Sequence, residues 1–103
     1  MIDRRPLVLE TAGEVVVGDP VAFRVRDWHK PVEGVRVVSH TDTAVTDRTG
    51  RCELTFRAPG FWKVAAFKPA DDYVAYEPAT ALVHAVTEAA SRGRLPGIAT
   101  DVR

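Results

Sequence analysis

The 103-residue sequence predicts an all-β fold, an antiparallel Greek-key β-sandwich of about seven or eight strands. Three observations carry that expectation. Hydrophobic residues recur with a period of two rather than the ~3.6 of a helix. Turn-forming residues interrupt the apolar runs about every 8–14 residues. The length suits one domain, which at this size buries roughly two-thirds of the surface its unfolded chain exposes.

Strands are expected near 6–11, 14–17, 21–27, 34–40, 43–47, 51–57, 61–68 and 80–87. Gly18-Asp19-Pro20 breaks the chain before the strand that begins at Val21. From Val21 to Arg26 the large apolar residues take the odd places and Arg24 and Arg26 fall between them. Successive strand side chains point to opposite faces, so one face enters a core and the other meets water. Lys30-Pro31 and Glu33-Gly34 bracket the next reversal. Asp47-Arg48-Thr49-Gly50 then places Asp first and Gly last in a turn, which suits a type I reversal. From Arg51 to Arg57 the alternation is complete, with Cys52, Leu54 and Phe56 on one side and Arg51, Glu53, Thr55 and Arg57 on the other. Ala58-Pro59-Gly60 has the residue order of a type II turn. Between the last two strands, Pro69–Pro78 reads as a long connection with room for a short edge segment. Residues 1–87 are expected to form the sandwich and 88–103 a flexible tail, with one helical turn at Glu88-Ala89-Ala90.

Composition narrows the function classes. Lys plus Arg equals Asp plus Glu at 14 each, so nothing favours a nucleic-acid binder or a polyacidic partner. No stretch approaches the ~20 apolar residues of a spanning helix, so no membrane insertion is expected. Met1–Pro6 is basic without a following apolar run and does not read as a signal peptide. That favours the cytoplasm by default, unless the chain belongs to a larger exported protein. Cys52 is the sole cysteine and has no disulfide partner within the chain.

Three spaced segments are more specific: Pro31-Val32-Glu33-Gly34-Val35-Arg36-Val37, Thr46-Asp47-Arg48-Thr49-Gly50 followed by Leu54, and Pro59-Gly60-Phe61-Trp62-Lys63-Val64-Ala65-Ala66. Together they resemble the pattern shared by bacterial immunoglobulin-like domains of adhesins, carboxypeptidase-regulatory-like domains and other transthyretin-like modules. The resemblance spans about residues 21–68. It implies that Gly34 and Gly50 serve turns, that Val35 and Val37 enter the core, and that Trp62, Val64 and Ala66 line the facing sheet. Those jobs are structural, so it implies binding, spacing or regulation of a neighbour rather than catalysis. Two enzyme families with related sandwiches fit poorly. The C-terminal Ala99-Thr100-Asp101-Val102-Arg103 lacks the tyrosine-arginine-glycine-serine tail of hydroxyisourate hydrolases, and His29-Lys30-Pro31 does not reproduce their histidine motif. Tyr73 and Tyr76 lack the clustered histidines that intradiol dioxygenases use to hold iron.

No catalytic or metal-binding residue is assigned, and no cofactor is expected. His29, His40 and His84 sit in separate elements without ligand spacing, His29 in a turn and the other two at strand ends. Asp42, Asp47, Asp71 and Asp72 are read as solvated rather than as calcium ligands. Cys52 falls on a core side, where a thiol behaves as a small hydrophobe. Arg24, Arg26, Arg51 and Arg57 share outward faces, and cross-strand pairing with acids such as Glu53 is favoured over an anion site.

Aromatic placement is the better pointer to a partner. With Trp62, Val64 and Ala66 inward, Phe61, Lys63, Ala65 and Phe67 face outward. Two readings follow. Either Phe61 and Phe67 mark a dimer or domain-docking face, or the 69–79 connection folds over them with Tyr73 and Tyr76. The candidate interaction surface is therefore Phe61, Lys63, Phe67, Tyr73 and Tyr76. The leading expectation is a non-catalytic module for protein interaction or structural spacing. A homo-oligomeric carrier holding a small ligand at its subunit interface is the alternative.

Overall fold

A computed structural model describes residues 3–40 and 42–92. The fold is all-β, and alternating burial is its organising feature. Along β4 (Pro20–Arg26), Val21, Phe23 and Val25 are buried while Ala22 and Arg24 are exposed. β4 lies between β2 (Val8–Glu10) and β7 (Arg51–Thr55), antiparallel to both. A second sheet has the order β3 (Glu14–Val16), β10 (Ala79–Val86), β8 (Gly60–Phe67), β5 (Arg36–Val38), β6 (Thr43–Val45). Val21, Phe23, Val25 and Leu54 from the first sheet share one core with Val15, Val37, Val64, Ala66, Val83 and Ala85 from the second. Two sheets with complementary apolar faces therefore enclose a single hydrophobic layer.

The strand pattern departs from the sequence expectation in two respects. β1 (Asp3–Pro6) begins ahead of the first expected strand and pairs parallel with β9 (Val74–Glu77) in a small sheet of its own, β9 being the short segment for which the 69–78 connection has room. β3 also pairs parallel with β10, so the fold is not purely antiparallel. Residues 11–13 carry the chain from the three-stranded sheet to the five-stranded one, and β2 and β3 do not pair. A strand that changes layer in this way meets a new neighbour whose direction no local turn dictates. The expected 6–11 strand is interrupted at Leu7, which turns into the core at 6% exposure.

Side chains complete the backbone bonding where the ladders stop. Thr46 is buried; its Oγ1 accepts from Val35 N at 2.9 Å and donates to Val32 O at 2.7 Å. Around it the Thr46 backbone accepts from Gly34 N at 3.0 Å and donates to Val35 O at 2.9 Å, so the Thr46 residue as a whole satisfies the segment before β5. Asp47 Oδ1 accepts from Thr49 Oγ1, Thr49 N and Arg51 N and fixes the 47–50 turn. At the other end of β7, Trp62 Nε1 donates to Ala58 O at 2.9 Å and locks the corner into β8. Thr87 Oγ1 accepts from Ala90 N and caps the short helix α1 (Glu88–Arg92). The rest of the expected tail, 93–103, lies outside the described residues.

Asp27 is the one fully enclosed carboxylate among the described residues, at 0% exposure. Its Oδ1 accepts from His29 N at 2.7 Å and Lys30 N at 3.0 Å, and Arg5 Nη1 reaches Oδ2 at 3.5 Å. Burial pushes this carboxyl up, but the two N–H donors and the guanidinium outweigh it and hold it below the ordinary carboxylate value. A depressed carboxylate stabilises the fold above its unfolded value of about 3.9, and that contribution is lost as pH falls through the lower folded value. Asp27→Asn is therefore expected to be less stable than wild type at pH 7, with the gap closing below about pH 4. Urea titrations of both proteins from neutral pH to about pH 2.5 check this; a gap independent of pH would show that the charge is not what Asp27 contributes.

Candidate functional site

The outward side of the five-stranded sheet is where the chemistry of this molecule is least self-satisfied. On β8, Val64 and Ala66 are fully buried, Trp62 packs half-buried against the core, and Phe61, Lys63 and Phe67 point the other way. On β10, Val83 and Ala85 face the core while Thr80, Leu82 and His84 face out. Register then assembles the face: His84 lies opposite Phe61, Leu82 opposite Lys63, and Thr80 opposite Ala65. On the other flank Arg36 lies opposite Phe67 and Val45, and Val38 opposite Ala65 and Thr43. Phe61 is 66% exposed, Leu82 64%, Val45 57% and Phe67 40%. These are four of the six large hydrophobic side chains exposed among the described residues, gathered on one side of one sheet.

Polar groups frame the patch at two opposite corners. At one, the His84 ring stacks on Phe61 with centroids 4.3 Å apart and planes 9° from parallel, and His84 Nδ1 lies 3.4 Å from Glu14 Oε1. At the other, the Arg36 guanidinium sits 6.0 Å from the centre of the Phe67 ring. Lys63 stands between them on β8. The surface is thus a largely apolar face with Lys63 in its middle and an acidic and a basic corner, the anatomy of a protein contact more than of a small-molecule cleft.

Of the residues singled out from the sequence, Phe61, Lys63 and Phe67 share this face, and Tyr73 and Tyr76 do not. Tyr73, 77% exposed, precedes β9 in the separate parallel pair. Tyr76 lies within β9, packs against the core and has Lys68 Nζ 5.4 Å from its ring centre. The 69–79 segment therefore leaves Phe61 and Phe67 exposed. Leu82, Val45 and Arg36 complete the surface and were not anticipated. The signal for Leu82 was present: Thr80 and His84 share its parity, whereas Val83 and Ala85, on the opposite parity, enter the core.

Other polar candidates are occupied structurally. Asp71 Oδ1 accepts from Tyr73 N and Val74 N, and these backbone donors lower its carboxyl. The Thr49 hydroxyl, then the Arg51 and Thr49 N–H groups, do the same for Asp47. Asp42 Oδ2 accepts from Thr55 N at 3.5 Å. Cys52 is half-buried and desolvation pushes its thiol up, which keeps it in the poorly nucleophilic protonated form. His84 lies inside β10, not at a strand end, and His40 stacks on Trp62 at 5.4 Å. Among the described residues no group of three or more His, Cys, Asp or Glu converges as metal ligands would. Nor is any described helix long and apolar enough to cross a membrane.

On the three-stranded sheet, Arg24 lies directly opposite Arg51, and Glu10 opposite Arg24. Glu10 Oε2 accepts from Arg26 Nε at 3.3 Å, so one of the outward arginines is paired across strands.

No family model matches the chain. It is similar to a 20-hydroxy-prefusarin hydrolase of Gibberella moniliformis, with 36% identity over 59 residues. That segment is 57% of this chain but 14% of the fungal protein, so the chain spans only a small part of that relative's length.

Proposed function

We propose that this chain is a non-catalytic immunoglobulin-like sandwich module that works by docking protein surface onto the outward side of its five-stranded sheet. Three features favour the immunoglobulin-like reading. The order β2-β4-β7 against β3-β10-β8-β5-β6 resembles two sheets joined by Greek-key connections, with the N-terminal strand divided between the layers. The indole bond from Trp62 back to Ala58 resembles the tyrosine corner at the start of a strand in such domains, with an indole N–H in place of the tyrosine hydroxyl. The spaced Gly34, Gly50 and Gly60 segments fall at turns between strands, each glycine with positive φ.

The observation that carries the docking reading is the gathering of Val45, Phe61, Phe67 and Leu82 on one face. Single exposed hydrophobics are ordinary; a contiguous group on a flat sheet costs free energy in water and is retained where something covers it. The non-catalytic reading draws on the state of the candidate nucleophile and bases. Cys52 is held protonated, and His40 and His84 are each stacked on an aromatic ring. A segment that matches 14% of a longer hydrolase also suits a module carried beside a separate catalytic domain.

Carbene footprinting tests the docking. Labelling at Phe61, Phe67 and Leu82 is expected to fall when the chain is concentrated or placed in an extract of its source cells. Full labelling under both conditions would remove the proposal. Ester hydrolysis by the purified chain that disappears in His84→Ala would overturn its non-catalytic half.

A further inference from the structure

The distribution of charge over the apolar face points to a particular occupant. We infer that a second copy of this chain covers it, forming an isologous dimer through the outward side of the five-stranded sheet; this rests on the docking reading above.

In an isologous interface every contact occurs twice, with residue i of one subunit meeting residue j of the other and the reverse. A face suited to this must carry its own complement. The acidic corner, Glu14 beside His84 and Phe61, lies two strands to one side of β8. The basic corner, Arg36 between Val45 and Phe67, lies one strand to the other side. Phe61 and Phe67 are six residues apart along β8, about 20 Å at the rise of a strand. The two charges therefore sit at diagonally opposite ends of the patch. A two-fold axis in the plane of the interface, perpendicular to the line from Glu14 to Arg36, exchanges them. Each Glu14 then meets the partner's Arg36, and Lys63 falls near the axis beside its own copy, its stem against the apolar side chains and its ammonium turned to water. An unrelated partner would place no such demand on the pattern.

Shape agrees with sheet-on-sheet contact. The middle of the face combines short side chains, Ala65 with Thr80 on one side and Val38 on the other, with Leu82 and the flexible Lys63 beside them, and sheets facing each other in this way pack about 10 Å apart. Phe61, Phe67 and Val45 rise around that middle. Two strands of eight residues and three of three residues, at ~4.8 Å spacing and ~3.3 Å per residue, give a face of roughly 400 Å². Two copies then bury on the order of 800 Å² in total, the size of a transient contact and not of a permanent one. The dimer is accordingly weak and reversible, with a Kd on the order of 10–100 μM.

Sedimentation equilibrium of the purified chain from about 10 μM to 1 mM tests this. The mass is expected to rise from 11.3 kDa toward twice that value with concentration. Leu82→Glu should weaken association at least about tenfold. Glu14→Arg and Arg36→Glu each set like charges at both corner contacts and should also weaken it about tenfold. Mixed in equal amounts, those two variants should form a heterodimer as tight as the wild-type dimer, because each restores the other's opposite charges. Circular dichroism melts of each variant establish that it is folded. A wild-type chain monomeric at 1 mM, a dimer indifferent to Leu82→Glu, or a mixture that does not associate would each overturn the inference. Protection of Phe61 and Leu82 in cell extract but not in the concentrated pure chain would overturn the dimer and leave docking of a different protein standing. Protection in neither would remove both.

Discussion

Gly50→Ala is expected to destabilise the fold by about 2–5 kcal/mol, the largest effect of a methyl addition at any glycine among the described residues. Two costs combine. Gly50 closes the 47–50 turn with φ +76°, a left-handed conformation that costs a residue bearing Cβ about 1–2 kcal/mol. The added Cβ would also meet the Val25 carbonyl oxygen and come within 2.9 Å of Pro31 Cβ. Neither neighbour is a flexible side-chain end. Val25 N donates to Gly50 O at 2.7 Å, and Arg26 bridges to Pro31, so the backbones on both sides are fixed by pairing. Gly18→Ala supplies the control. Gly18 has φ +90° with nothing within 4 Å of its added Cβ, so it should lose only the conformational part. Urea or thermal denaturation of the two variants measures the difference, expected to be about 5–20 °C in Tm. Equal losses at the two positions would mean that the close approach at Gly50 relaxes without cost.

Phe23→Ala should cost about 3–5 kcal/mol, a third or more of the stability of a domain of this size. Phe23 is 1% exposed at the middle of β4, with its ring tilted 51° to that of Phe56 at 6.4 Å. Both rings belong to the layer between the sheets, where the three-stranded sheet has few large side chains to fill the space left behind. Phe23→Leu keeps most of the volume and is expected to cost under about 1.5 kcal/mol. Equilibrium denaturation would show the midpoint of the alanine variant well below that of wild type while the leucine variant stays close to it, both with a single cooperative transition. A loss below about 1 kcal/mol for the alanine variant would mean that the core can close around the cavity.

These two positions also show how far local reading goes. The period-two alternation of β4 places Phe23 in the core without any knowledge of the partner sheet, and the Asp-Arg-Thr-Gly order places Gly50 in a turn. The sequence could not show that Gly50 lies against Val25 and Pro31, because that contact depends on where β4 and the following turn come to rest. The docking face divides in the same way. Outward placement of Phe61, Lys63 and Phe67 follows from their strand parity. Their company does not: Leu82 and His84 join Phe61 and Lys63 through the β8–β10 register, and Arg36 and Val45 join Phe67 through β5 and β6. Tyr73 and Tyr76 are near Phe67 in sequence and were grouped with it, yet the parallel pairing of β1 with β9 draws their segment to a different sheet.

By itself the sequence determined what each residue's immediate neighbours can decide: the all-β class, the inner and outer sides of β4, β7 and β8, and the turns at Gly50 and Gly60. Side-chain alternation and positive φ are properties of a few consecutive residues, so they can be read locally. Only the tertiary structure decided which strands sit side by side, that β1–β9 and β3–β10 run parallel, and that four exposed apolar side chains share a face with Glu14 and Arg36 at its corners. Those are outcomes of burying one common core between two sheets, a competition settled by the whole chain rather than by any segment of it.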